Sequence, residues 1–170
     1  MNQAELRHLL SGFAADRLAL IERHEAAARA VSHYDFNNAY QYVINREEVQ
    51  LGWLQAALAE YGAPLPPPAS AIAAPEPPRR HKAKTDGDAA LRTILQDDAR
   101  QLASFLARWQ PRVEAMTHAR HRLMLEVILG ESREHQRLFE QAAQGMEDVL
   151  GRRTGGVARR GDVLPVRWLE

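Results

Sequence analysis

Cysteine is absent from all 170 residues, so the chain can build no disulfide, thiolate zinc site, iron–sulfur cluster or cysteine nucleophile. Any metal must be held by carboxylate, imidazole or amide groups. A charge excess is missing too. The 22 acidic side chains balance 22 basic ones, which removes the basic surplus that binding to a nucleic-acid backbone requires. Lysine is scarce: Lys82 and Lys84 are the only two, and the other 20 basic residues are Arg, which with the many alanines reads as composition bias. No apolar run approaches the length of a membrane span, and Met1 to Leu10 carries Glu5, Arg7 and His8 where a secretory leader would be apolar. A cytoplasmic protein is expected. Glycine-rich phosphate loops, a dinucleotide fingerprint and a Ser/His/Asp arrangement are absent as well.

Proline is concentrated rather than spread, with seven of the nine between Gly62 and Gly87. That stretch cannot be helix or central strand. On both sides the pattern is helical, and no β-strand pattern is found. The fold class is therefore all-α: two antiparallel hairpins, with helices at about 2–32, 35–61, 87–112 and 115–145, joined by a crossover over 62–86. Ser11-Gly12 suggests a break in the first helix, Asp35 a cap for the second, and Pro111 a frayed or kinked end for the third. If the second and third helices run parallel, the crossover must travel about 35 to 40 Å, and some 25 residues in polyproline form reach roughly 75 Å. Residues 151–170 form a spacer followed by the apolar run Val163 to Leu169, whose Trp168 is expected to dock on the bundle or on a second subunit.

Each of the four apolar stripes is interrupted near its middle. The spacing 14, 18, 21, 25, 28 turns Glu25 inward, and 36, 40, 43, 47, 50, 54 does so for Glu47 and Gln50. The spacing 91, 94, 98, 102, 105 places Asp98 inward, and 124, 128, 131, 135, 138 places Glu131 and His135. In an antiparallel pair, residues at one height have a mean position at the turn. For Glu25 and Glu47 that mean is 36, and for Asp98 with Glu131 and His135 it is about 115. Both values fall on the expected turns, so each hairpin brings its polar residues to one level. Uncompensated carboxylates in a core cost several kcal/mol each. Arg17 lies two helical turns from Glu25, about 12 Å along the axis, so a divalent metal pair is the better neutraliser. Without metal, the clustered carboxyls would have raised pKa values, and the protein would gain stability from neutral pH toward about 5.

Inward carboxylates on four helices, a long crossover and a His on the fourth helix resemble the ferritin-like superfamily of di-iron or di-manganese carboxylate bundles, especially its rubrerythrin-like members. The resemblance implies a ferritin-like bundle with Glu25, Glu47, Asp98, Glu131 and His135 as metal ligands. Gln50, standing where that family has a His, would be a weak ligand or a supporting group. Iron or manganese would be the cofactor, metal handling or oxidative chemistry the function, and a homodimer the assembly. The alternative is a metal-free bundle of structural or interaction type, in which Glu25, Gln50 and His135 pair internally. His24, His33, His118 and His121 are expected at the surface, Tyr40 in the core, and Trp53 and Trp109 in packing roles. The cluster Arg79, Arg80, Lys82 and Lys84 is expected to be solvated.

Overall fold

A computed structural model describes residues 1–69, 73, 75, 84–146 and 148–151, with residues 84–88 described by their helical backbone alone. The apolar run Val163 to Leu169, Trp168 and the basic residues Arg79, Arg80 and Lys82 lie outside the described residues. Among the described residues four helices form: α1 (Gln3–Ala30), α2 (Tyr34–Ala59), α3 (Lys84–Glu114) and α4 (Ala119–Ala143). No strand occurs among the described residues. Among the described residues no helix is long and apolar enough to cross a membrane.

Local chemistry accounts for the boundaries. Asn2 accepts the Glu5 N–H at 2.9 Å while Glu5 accepts the Asn2 N–H at 2.8 Å, a reciprocal capping box that starts α1. At the other end, the Asn37 side chain donates to the carbonyls of Ala28 (2.8 Å) and Val31 (3.2 Å), satisfying groups that the end of α1 leaves open. Asp35 is not the cap of α2. His33 holds that position, and Asp35 lies in the first turn, where a carboxylate favours the helix dipole. After α2, Gly62 takes a φ of 63°, and the Ala63 N–H returns to the Leu58 carbonyl at 3.1 Å.

Two expected interruptions do not occur. Helix α1 is continuous through Ser11 and Gly12; Gly12 packs closely on α3, where a Cβ would stand 3.2 Å from Cη2 of Trp109. Pro111 sits in the last turn of α3, which continues to Glu114. A missing N–H costs one internal bond there and leaves φ in the helical range.

Cross-helix contacts fix the topology. Arg23 with Asp98 and Asp16 with Trp109 set α1 antiparallel to α3. Arg46 with Glu131 and Glu60 with Arg120 set α2 antiparallel to α4. Arg17 with Ser132 and His24 with Phe139 place α1 parallel to α4 on the diagonal. The buried positions of α1 include 6, 10, 13, 17, 20, 24 and 27, an alternating four–three spacing that suits helices crossing at about 20°. Phe13, Phe105 and Trp109 pack edge to face at centroid distances of 5.1 Å and close one part of the core.

Candidate functional site

The centre of the bundle is a sealed ionic layer built around Glu47 of α2. Glu47, Arg17, His24, Gln50 and Ser132 are each 0% exposed, and His135 is 1% exposed. Arg17 Nη1 donates to Glu47 Oε1 at 2.7 Å, and its Nη2 donates to the Ser132 hydroxyl at 2.5 Å. That hydroxyl in turn donates to the Ile128 carbonyl at 2.7 Å. His24 Nδ1 meets Glu47 Oε2 at 2.8 Å, and because an ionised carboxylate only accepts, this ring nitrogen carries the proton. The face of Phe105 covers the guanidinium of Arg17, 4.5 Å from the ring centroid.

The electrostatics follow from burial and these partners. Burial alone would push the Glu47 carboxyl up, but His24, Arg17 and His135 together hold it below its ordinary value. Burial draws Arg17 downward, and Glu47 opposes that shift. His135, whose Nδ1 lies 3.9 Å from Glu47 Oε1, is pushed down to about 4 by burial, with Arg17 and His24 adding to the effect and Glu47 opposing it. It is therefore neutral at pH 7. The raised carboxyl values anticipated for a cluster of unpartnered carboxylates are reversed at Glu47 because His24 and Arg17 enter the same core beside it.

The other acidic residues occupy separate clusters. Asp98 accepts from Arg23 Nε at 2.7 Å and from the Tyr40 hydroxyl. Burial, together with Asp98, raises the Tyr40 phenol well above its usual value. Arg23 also donates to the carbonyl of Ala73 in the crossover. Glu131 lies at the rim between α2 and α4, where it accepts from Arg46 and from Gln50 Nε2 at 2.6 Å. Burial would raise its carboxyl, but Arg46 and Gln50 hold it low.

Glu25 belongs to none of these clusters. Its side chain is 42% exposed and faces Arg29 at 3.7 Å. The inward residues of α1 are Arg17 and His24, one position before the Leu18 and Glu25 that the 14-18-21-25 stripe selects. A shift of one residue turns a helix face by about 100°. On α4 the displacement is confined to one position and runs the other way: Ser132, one residue after Glu131, is inward and Glu131 is at the rim, while His135 is buried as read. On α2 and α3 the inward set stands as read: Glu47, Gln50 and Asp98 are buried.

Other expectations are corrected as well. His24 and His121 are buried, not superficial. The His121 Nδ1 lies 2.9 Å from that of His118, and burial, followed by His118, lowers its pKa. Trp53 is 37% exposed rather than packed away. Trp109 is buried as expected, and its ring N–H donates to Asp16 at 2.7 Å. The signal for a buried Arg17 is the regular spacing 10, 13, 17, 20, 24, 27, which stands out once polarity is set aside.

The donor set does not suit the metal pair that the resemblance implies. Glu25 is outside the core, and Asp98 and Glu131 are engaged by Arg23 and Arg46. Both Glu47 oxygens are taken by Arg17 and His24, so the guanidinium stands where a cation would neutralise the carboxylate. Among the described residues, no three His, Asp or Glu side chains are grouped so as to hold a metal ion. The chain matches no family model, no curated protein and no solved structure.

Proposed function

We propose that this chain is a metal-free, ferritin-like four-helix bundle that acts through its surfaces, as a structural or interaction protein, and not through chemistry at its centre. The observation that carries this reading is the Arg17–Glu47 pair. It supplies from within the chain the positive charge that a buried carboxylate needs, and Arg23 does the same for Asp98. The proline-rich connection would be a strap along the outside of α1. Support comes from two of its residues: the Ala69 N–H meets the Ala15 carbonyl at 2.9 Å, and the Ala73 carbonyl meets Arg23.

One observation favours the second reading, a bundle that handles iron or manganese and carries out oxidative chemistry. His24 Nε2, His135 Nδ1 and Gln50 Oε1 are buried in the polar core without hydrogen-bond partners among the described residues, and such nitrogen and oxygen atoms can ligate either metal. Elemental analysis of protein purified without chelator separates the two. The scaffold reading expects metal far below one ion per chain and a melting temperature at pH 7 that is unchanged by manganese or ferrous iron. Stoichiometric metal, or a rise in melting temperature by mass action, would establish the second reading in its place.

A further inference from the structure

The outer side of the α2/α4 pair carries apolar surface that the bundle does not use. Val49 and Trp53 on α2 are 47% and 37% exposed, and Leu123 and Val127 on α4 are 58% and 50% exposed. Spacings of four on both helices put each pair on one stripe. The contacts of Arg46 with Glu131 and of Glu60 with Arg120 set the antiparallel alignment, which brings Trp53 level with Val127 and Ala56 level with Leu123. A single apolar band therefore crosses both helices.

Its rim is equally regular. Arg46 pairs with Glu131 at one end, and Arg120 pairs with Glu60 at 2.7 Å at the other. Each end is neutralised within the chain. The face has an apolar centre with an aromatic anchor and a polar border, the anatomy of a protein interface.

From this arrangement we infer that the α2/α4 face pairs with the same face of a second copy of this chain across a two-fold axis, a deepening that rests on the reading of the protein as a scaffold acting through its surfaces. Two features select an identical partner. First, a face whose rim charges are already paired has no excess of either sign to attract an acidic or basic partner, and it can meet itself without opposing like charges. Second, α2 and α4 are antiparallel and carry similar apolar pairs, so the face is close to self-complementary, as an isologous interface requires. From Tyr42 to Glu60 the face is about 27 Å long, and two adjacent helices make it about 20 Å wide. In projection that is about 540 Å² per partner, or about 1,100 Å² in all, at the low end of the range for specific interfaces. The apolar run Val163 to Leu169 and a different protein are the competing occupants.

Sedimentation of the full chain, 19.1 kDa as a monomer, tests the inference beside Trp53→Glu, Val127→Glu and a chain lacking residues 152–170. The expected result is a dimer for the full and truncated chains at about 100 µM and a monomer for both substituted chains. Helical circular dichroism should be retained throughout, because both substituted side chains are at the surface. A monomeric full chain overturns the inference, as does a dimer that survives both substitutions. So does a truncated chain that dimerises only once 152–170 is removed, since the face would then be covered by its own C-terminal segment. A metal-free monomer would defeat this inference alone, and a metal-loaded protein that dimerises through this face would defeat the scaffold reading alone.

Discussion

The Glu47 and Asp98 clusters solve one problem in two ways. Glu47 is enclosed on all sides, with its cation, its imidazole and the hydroxyl that steadies the cation drawn from α1 and α4. Asp98 is equally buried, but its Arg23 reaches the crossover carbonyl and comes within 3.6 Å of the half-exposed Asp97, so this cluster extends to the surface. The difference shows where the molecule is vulnerable. A charge at the edge of a bundle that loses its partner can be approached by water, whereas one at the centre cannot without opening the helices.

The largest effect expected from this contrast is at the sealed cluster. Arg17→Met should lower the unfolding free energy by about 3–5 kcal/mol, the usual consequence of leaving one buried charge unpaired. Adding Glu47→Gln, which removes the charge and keeps an acceptor for His24, should recover more than half of that loss. Urea unfolding of the three proteins measures both numbers. A double variant no better than the single would show that the Glu47 charge is not what makes Arg17 necessary.

Acid comes next. His135 has a folded value of about 4 against about 6.5 in an unfolded chain, so folding favours its neutral form. Its contribution is complete above about pH 6.5 and is lost as the unfolded state takes up protons down to pH 4, a loss of about 3 kcal/mol at most. Glu47 and Glu131, both held low in the folded protein, contribute above their unfolded values and lose that contribution as pH falls further. All three have the same sign. Stability should fall from pH 7 to pH 4, opposite to the gain anticipated for unpartnered carboxylates, and unfolding curves at the two pH values decide between them.

Smaller effects belong to the outer cluster and the rim. Tyr40→Phe removes one donor from Asp98 while Arg23 remains, and a loss of about 1–3 kcal/mol is expected. Arg46→Ala at the exposed end of the α2/α4 face should cost less than about 1 kcal/mol. If the two losses came out in the reverse order, burial would not be the quantity that ranks these sites.

The helices, their pairing and the inward acids of α2 and α3 were legible because spacing there coincides with polarity: 36, 40, 43, 47, 50 and 54 are all buried. On α1 the two signals disagree. An Arg at 17 and a His at 24 look like solvent residues, so polarity selects a stripe through Ala14 and Leu18 that carries Glu25 inward with it. Burying a charge depends on a partner from another helix, and helical spacing within α1 has no information about Glu47. Heights do not depend on the face chosen: 24 and 47, which meet, average 35.5, just past the connection between α1 and α2. Heights were therefore readable where faces were not.

Helices with apolar residues every three or four positions can slide past one another by a heptad with little penalty, because one Leu replaces another. In this bundle the sliding is blocked. Moving α1 by seven residues would carry Arg17 roughly 10 Å from Glu47 and put Leu10 or His24 in its seat, stranding a cation among apolar side chains and a carboxylate without its counter-charge. The same displacement would separate Arg23 from Asp98. Two ion pairs at different heights, linking α1 to α2 and to α3, thus act as alignment pins that leave one vertical arrangement of the helices available during assembly of the bundle.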